Sequence, residues 1–202
     1  MSLLEWVKQH LPLDLGQGTR RATTKGKHVA LELVPPGAGR TALDVGCREG
    51  DQSRWLERRG YIVTSIDVEC VYDKCQLVDA NKALPFPDGS FDLIWCSEVL
   101  EHLADPGFAA REFRRVLRPG GQLILTTPNS YCLLFRFIAL FGLTPRRIQR
   151  RDHLHFFDVS RMRALFPGAV LYGYFPYAVL KLTIRRGVGA LSPTFVVNER
   201  KS

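Results

Sequence analysis

The segment Glu98-Val-Leu-Glu-His102 places two carboxylates and an imidazole at positions i, i+3 and i+4. On a helix these positions share one face, so Glu98, Glu101 and His102 could coordinate a hard or borderline cation. A bound cation would lower the pKa of a substrate hydroxyl and orient it for reaction. The alternative interpretation is that these residues only open a helix and bind no metal.

Two histidines, His153 and His155, lie ahead of a helix predicted to begin near Asp158 or Ser160. A histidine with a near-neutral pKa is suited to accept the proton of an attacking hydroxyl, so both are candidate general bases. The alternative is a capping or packing role in front of that helix.

A turn containing two glycines, Gly46 and Gly50, follows a short apolar strand predicted at Thr41–Gly46. Glycine at such a turn lets the backbone approach a ligand, and an acid at the end of the next strand can accept both hydroxyls of a ribose. Asp67 supplies that acid here. The pattern also arises by chance in other strand–turn–helix units, so it predicts a nucleotide site only together with further motifs.

Two longer segments, Asp79–Leu103 and Arg118–Asn129, supply those motifs. With the glycine turn, they make residues 40–166 closely resemble the class I S-adenosylmethionine-dependent methyltransferases. The resemblance implies that the turn holds the methionine end of the cofactor, that the acid after the second strand holds the ribose, and that a pair after the third strand flanks the adenine. The implied cofactor-binding residues are Asp44, Gly46, Cys47, Gly50, Asp67, Val68, Asp79, Ala80 and Ser97.

The chain departs from the family pattern at two places near the implied cofactor. Arg48 stands where the family usually has a third glycine, and its cation could pair with the methionine carboxylate or weaken binding. Only Val68–Lys74 separates the second and third strands, although a parallel crossover normally needs about a dozen residues. We therefore expect the wall of the adenosine site that this connection forms to be shorter than in the family.

The Glu-x-x-Glu-His segment is similar to that of the magnesium-assisted O-methyltransferases of quinone biosynthesis and of the small-RNA 2′-O-methyltransferases. In the latter a further histidine completes the metal site, and His155 is the better match to it. The resemblance thus implies a Mg²⁺ site formed by Glu98, Glu101, His102 and His155.

Short apolar strands alternating with helices predict the elements that position these residues. We expect an α/β fold with a Rossmann-like, seven-stranded, mainly parallel sheet flanked by helices, its last strand antiparallel. Residues 1–40 are predicted as an N-terminal cap segment and residues 41–202 as a methyltransferase domain with a lid or acceptor insertion at about 130–160. The predicted strands are Thr41–Gly46, Tyr61–Asp67, Cys75–Val78, Phe91–Cys96, Gly121–Thr127, Val170–Phe175 and Thr194–Asn198.

The composition of the 202 residues, 46% hydrophobic and 24% charged, excludes a disordered, fibrous or multi-span membrane chain. Five irregularly spaced cysteines and the lack of a signal-peptide pattern at the start predict a cytoplasmic protein with reduced thiols. No apolar run reaches the length of a transmembrane segment.

The net charge of +8 lies at the two ends of the chain, and residues 145–202 carry eleven basic and three acidic side chains. The apolar and then basic segment 131–151 could contact a membrane surface, bind RNA phosphates, or form a lid with a solvated loop. The resemblance implies methyl transfer from S-adenosylmethionine, and we expect the acceptor to be an oxygen of a small or lipid-like, anionic molecule. RNA 2′-O-methylation and a non-catalytic cofactor-binding or scaffold role are the alternatives.

Overall fold

The computed structural model describes residues 24–149, 152–176 and 182–202. It forms one mixed sheet flanked by helices, as the sequence predicts. The strands are β1 Thr41–Val45, β2 Ile62–Asp67, β3 Cys75–Leu77, β4 Phe91–Ser97, β5 Leu117–Pro128, β6 Val170–Phe175, β7 Leu182–Ile184 and β8 Thr194–Arg200. The α-helices are α1 Lys25–Glu32, α2 Asp51–Arg58, α3 Pro106–Val116, α4 Leu133–Ala139, α5 Pro145–Ile148, α6 Val159–Leu165 and α7 Val188–Leu191, and a 3₁₀ turn spans Leu100–His102.

The strand order is β3-β2-β1-β4-β5-β8-β6-β7. Strands β3, β2, β1, β4 and β5 are parallel, whereas β8 pairs antiparallel with both β5 and β6, and β7 pairs antiparallel with β6. The chain leaves β1 toward β2 on one side and returns to β4 on the other. This reversal is a topological switch point, where ligands bind beyond the carboxyl ends of the strands.

Apolar side chains on both faces of the central strands form the core. Helix α3 shows how local sequence builds one layer: the Asp105 carboxylate accepts hydrogen bonds from the amides of Gly107 and Phe108, and Pro106 occupies the first turn. Its buried side chains include Phe113 and Val116, which pack in a cluster with the sheet. On the opposite face, α1 packs against the sheet in a second cluster.

The structure differs from the sequence expectation in several boundaries. The described residues contain eight strands rather than seven, because β7 adds a short edge strand next to β6. Strand β5 begins directly after α3 at Leu117, four residues before the predicted start at Gly121. The prediction that the last strand is antiparallel is confirmed, because β8 pairs antiparallel with β5 and β6.

The predicted N-terminal cap falls mostly outside the described residues, which begin at Thr24. Within the described part, α1 belongs to the core of the domain, since Val29 and Ala30 are buried beside Trp95. None of the helices in the described ranges combines the length and apolarity needed to cross a membrane.

Candidate active site

A cavity of about 400 Å³ opens at the carboxyl ends of β1, β2 and β4. Its volume lies within the range of small-molecule and cofactor pockets. Three loops form its walls: the glycine turn after β1, the segment after β2, and the residues that follow β4. Of the residues predicted to bind the cofactor, six line it: Gly46, Cys47, Asp67, Val68, Ala80 and Ser97.

The glycine turn has the conformation that its sequence requires. Gly46 and Gly50 both have φ of +77°, and a Cβ atom would overlap Val99 at the first position and the Tyr72 ring at the second. Gly46 lines the cavity, whereas Gly50 serves as the N-cap of α2 and supports the turn from behind. Arg48 has φ of +46° and lines the cavity, so a non-glycine residue occupies a left-handed position here.

Asp44 lies beneath the turn and not among the residues that line the cavity. Its buried carboxylate accepts a 2.6 Å hydrogen bond from the Ser53 hydroxyl, which accepts one of 2.8 Å from Ser65. Burial raises the pKa of Asp44 to about 6. Asp44 therefore joins β1, α2 and β2 below the site, although it was predicted to contact the cofactor.

Asp67, at the end of β2, has both carboxylate oxygens oriented by backbone amides. Oδ2 accepts from the amide of Arg48 at 2.9 Å, and Oδ1 accepts from the amide of Glu69 at 3.2 Å. Each oxygen retains a second lone pair, because a carboxylate can accept about four hydrogen bonds. This geometry allows the carboxylate to bind a pair of neighbouring hydroxyls in the cavity.

The loop between β2 and β3 contains a disulfide that joins Cys70 to Cys75, with their Cα atoms 5.4 Å apart. The expectation of reduced cysteines is wrong for this pair, while Cys47, Cys96 and Cys132 are buried and remain thiols. The loop replaces the missing crossover helix. Three of its residues, Val68, Glu69 and Val71, line the cavity.

Asp79 and Ala80, which were predicted as a pair that flanks the adenine, have different positions in the structure. Ala80 lines the cavity together with Asn81, which was not predicted. Asp79 instead accepts hydrogen bonds of 2.9 Å from both the backbone amide and the side-chain amide of Asn81, and these bonds lower the pKa of Asp79. The side-chain oxygen of Asn81, Oδ1, accepts a hydrogen bond from the backbone amide of Ala104. The Asp-x-Asn spacing, typical of a local side-chain turn, is the signal that could have identified Asn81.

A chain of hydroxyls connects β4 and β5 at the cavity wall. The Ser97 hydroxyl lies 2.8 Å from that of Thr126, which donates to Glu98 Oε1 at 2.8 Å. Glu98 has φ of +58° and precedes the 3₁₀ turn. The prediction that Glu98, Glu101 and His102 share one helical face is therefore wrong, because only Glu101 and His102 lie in that turn.

Lys27, a second cavity residue missed from the sequence, extends from α1 and is 6% exposed. Burial lowers its pKa, and the nearby carboxylates of Glu98 and Asp44 oppose this shift. A buried cation at the cavity wall is suited to an anionic group of a ligand.

Glu101, His102 and His153 bring their ligand atoms within 4.8 Å of one another. Glu101 is buried; Oε2 accepts from the Thr127 hydroxyl at 3.0 Å, but Oε1 has no hydrogen-bond partner. Burial raises the pKa of Glu101 well above its usual value and lowers that of His153 to about 4. His102 lines the cavity, and its Nδ1 lies 3.0 Å from the carbonyl oxygen of Asp152.

His155 lies apart from this group. Its Nδ1 is 3.0 Å from the Arg161 guanidinium and its Nε2 is 3.2 Å from the carbonyl oxygen of Ala104, so both ring nitrogens have protein partners. Neither His153 nor His155 lines the cavity. The structure thus brings together three of the residues considered for a metal or a base, but with His153 in the place predicted for His155.

Comparisons with known proteins agree with this arrangement. The profile of the family described as "Methyltransferase domain" matches residues 43–125. The 2-methyl-6-phytyl-1,4-hydroquinone methyltransferase of Synechocystis is 39% identical over 113 residues, which are 50% of this chain and 35% of that protein. The ubiquinone biosynthesis O-methyltransferase of Pseudomonas paraeruginosa is 36% identical over 118 residues, or 51% of this chain and 50% of that protein.

The chain therefore spans half or less of the length of these two relatives. Among solved structures, an S-adenosylmethionine-dependent methyltransferase from Archaeoglobus fulgidus matches with a TM-score of 0.65 and 15% identity, covering 91% of this chain and 95% of that one. This likeness establishes the fold across nearly the whole chain. The match to the methyltransferase domain family extends over β1 to β5, which supply most of the cavity, and the structural likeness shows that the fold is shared with an S-adenosylmethionine-dependent methyltransferase.

Proposed function

We propose that this chain transfers a methyl group from S-adenosylmethionine to an oxygen atom of a small or lipid-like acceptor. The observation that carries the proposal is the convergence of a glycine turn, an amide-oriented carboxylate and two polar loops on one cavity at the switch point of the sheet. This combination suits a ligand with an amino-acid end, a ribose and a base.

The proposed cofactor contacts follow the walls of the cavity. Gly46 and Cys47 would approach the methionine end through their backbone, and Asp67 would accept the two ribose hydroxyls. Ala80 and Asn81 would flank the adenine, and Ser97 would lie near the reacting centre. Gly50, Asp44 and Asp79 would hold these residues in place without touching the cofactor.

When bound, S-adenosylmethionine supplies a methyl group on a cationic sulfur that a nucleophile must approach in line. Holding the acceptor oxygen in that line supplies most of the rate gain in such a displacement. The hydrogen-bonded series Ser97, Thr126 and Glu98 fixes one wall of the cavity and keeps a carboxylate there. His102 contributes a polar group to the same side.

The acceptor class rests on the relatives. The names of three of them refer to a phytyl hydroquinone, to ubiquinone biosynthesis and to a demethylrifamycin. These are proteins that share about half of this chain, so a quinol-like acceptor is proposed here by similarity. Nothing in these names favours RNA as the acceptor.

Calorimetric titration of the chain with S-adenosylmethionine tests the cofactor site. Asp67→Ala should weaken binding at least tenfold, because hydrogen bonds to a charged group contribute roughly 1.5–3 kcal/mol each. Asp88→Ala removes an equally charged but exposed side chain and should bind as the wild type does. Absence of wild-type binding, or equal affinity in Asp67→Ala, would contradict the proposal.

A methyl-transfer assay with labelled cofactor then distinguishes the functions. Hydroquinone and catechol acceptors should be labelled, whereas an RNA oligonucleotide should not. Binding of the cofactor without labelling of any acceptor would favour the non-catalytic role.

Within this proposal, a divalent cation would be held by Glu101, His102 and His153. The support is Glu101 Oε1, a buried oxygen without a hydrogen-bond partner that lies 4.0 Å from His153 Nε2. Two imidazoles and one carboxylate suit Mn²⁺ or Zn²⁺ better than Mg²⁺, which prefers oxygen ligands. When bound, such an ion would act as a Lewis acid toward an acceptor oxygen.

Electron paramagnetic resonance of added Mn²⁺ tests this site without an activity assay. The wild type should bind the ion, and Glu101→Gln, of nearly equal shape, should not. Glu57→Gln, which changes a surface carboxylate paired with Lys74, is the control. Equal Mn²⁺ binding by all three proteins would exclude the proposed ligands.

A further inference from the structure

Helix α4 and the turn after it expose an unusual density of apolar side chains, here called the α4 patch. Five of the thirteen large apolar residues that are exposed in the described part of the chain lie between residues 131 and 141. The largest exposed fractions are 59% for Phe137, 81% for Leu140 and 72% for Phe141. Contiguous exposed apolar surface of this kind marks an interaction site more often than a solvated face.

The patch has the geometry of one helical face. Leu133, Phe137, Leu140 and Phe141 follow the spacing i, i+4, i+7 and i+8, so they project to the same side. The rings of Phe137 and Phe141 lie edge to face with their centroids 5.4 Å apart. The opposite face is anchored, because Phe135 is buried.

Cationic side chains accompany the patch. Arg136, Arg146 and Arg147 are exposed, and no carboxylate of the described residues forms an ion pair with them. The sequence contains no acidic residue between Glu112 and Asp152. The apolar face is thus flanked by cationic side chains and not by acidic ones. Such a face complements a surface that is apolar inside and anionic at its boundary.

The patch is also connected to the cavity through the fold. Helix α4 follows β5, in which Thr126 bonds to Ser97 and Glu98 at the cavity wall. The Ser130 hydroxyl, just before α4, lies 3.1 Å from Gln149 Oε1, and that oxygen lies 3.4 Å from His153 Nδ1. The patch therefore follows the carboxyl end of β5, next to β4, whose carboxyl end forms part of the cavity.

From these contacts we infer that the α4 patch docks on the surface of a membrane containing anionic lipid. Its apolar side chains would enter the boundary between headgroups and acyl chains, and Arg136, Arg146 and Arg147 would contact lipid phosphates. Docking itself does not depend on methyl transfer. Its use, to receive an acceptor directly from the lipid phase, rests on the proposed function.

Co-sedimentation with lipid vesicles tests the inference on the full chain. The wild type should bind vesicles of phosphatidylcholine mixed with phosphatidylglycerol, bind phosphatidylcholine alone more weakly, and dissociate as salt is raised. Phe137→Ser with Leu140→Ser, and separately Arg146→Glu with Arg147→Glu, should each reduce partitioning by roughly tenfold or more.

Matched controls keep the result specific. Leu77→Ser removes an aliphatic side chain that is 74% exposed on the edge strand β3, and Arg58→Glu with Arg163→Glu makes the same charge change elsewhere. Both controls should bind vesicles as the wild type does, and circular dichroism should show that every variant is folded. If the wild type fails to bind anionic vesicles, or if the patch variants bind as the controls do, the inference is overturned.

Cofactor titration separates this outcome from the proposed function. The patch variants should keep wild-type affinity for S-adenosylmethionine. Loss of vesicle binding with intact methyl transfer to a water-soluble quinol supports the docking role. If the wild type methylates such a quinol but does not bind anionic vesicles, membrane docking is refuted and the proposed function is not.

Discussion

At the scale of single residues, the buried carboxyl of Asp44 places a titratable group beneath the glycine turn. Its pKa is raised to about 6 by burial, so between about pH 4 and pH 6 the folded state holds a proton that the unfolded state has released. The contribution of Asp44 to stability therefore falls as the pH rises through this window. At neutral pH the cost is about 3 kcal/mol, because one pKa unit corresponds to about 1.4 kcal/mol.

Asp44→Asn should remove this cost, since an amide oxygen can still accept from Ser53. The free energy of unfolding in urea should then be less dependent on pH between about pH 4 and pH 7 than that of the wild type. Asp88→Asn, at an exposed carboxylate, serves as the comparison. Identical pH profiles for Asp44→Asn and the wild type would show that Asp44 does not titrate in this range.

Arg48 gives a second prediction at this scale, because it adopts φ of +46° at the centre of the turn. Arg48→Gly should stabilise the fold by about 1 kcal/mol through relief of the left-handed conformation. Its backbone amide would still donate to Asp67. Arg48→Ala removes the same cation but keeps a Cβ atom, so thermal unfolding should separate the two variants; equal melting temperatures would argue against backbone strain.

At the scale of elements, the loop between β2 and β3 takes the place of a helix and is closed by the Cys70–Cys75 disulfide. The pair is accessible to solvent, and the loop supports the cavity through Glu69 and Val71. Tyr72, in the middle of this loop, is buried against Gly50, and the Arg54 guanidinium lies over its ring. The wall of the cavity on this side therefore depends on the covalent closure.

Reduction of this disulfide should weaken cofactor binding by roughly threefold to tenfold, or about 1 kcal/mol, because the loop must then be ordered on binding. Cys70→Ser with Cys75→Ser should show the same loss and no further response to reductant. Calorimetric titration with and without a phosphine reductant provides the measurement. A wild type whose affinity is unchanged by complete reduction would contradict a role of the disulfide in cofactor binding.

The elements that the sequence predicts well are those whose pattern is local. The strands from β1 to β5 coincide with runs of apolar residues. The turn at Gly46 is predictable because glycine is favoured where the backbone must come close to a ligand or to another part of the chain. Asn81 and Lys27 could not be placed in this way, because their position depends on contacts far apart in the chain. The wrong choice of His155 over His153 has the same origin. The two histidines are two residues apart on an irregular segment, and only the folded structure shows that His155 contacts Arg161 whereas His153 lies next to Glu101.

At the scale of the whole molecule, the charge is divided between two regions. The central part, residues 29–144, carries fifteen acidic and twelve basic residues, whereas residues 145–202 carry three and eleven. Most of the residues that line the cofactor cavity belong to the central part, whereas Arg146 and Arg147 lie in α5, within the basic part, and do not line the cavity. Since charges on a protein surface are screened beyond about 8 Å at physiological salt, the two regions should act separately.

This separation predicts different effects on the two substrates. Arg146→Glu with Arg147→Glu should raise the KM for a quinol acceptor presented in anionic vesicles by about tenfold, because a cationic contact to the surface becomes repulsive. The Kd for S-adenosylmethionine should stay within about twofold of the wild type, since neither side chain lines the cavity. Steady-state kinetics at saturating cofactor, together with calorimetric titration, measures both quantities. Equal loss of acceptor use and cofactor affinity would mean that the basic flank stabilises the cavity as a whole.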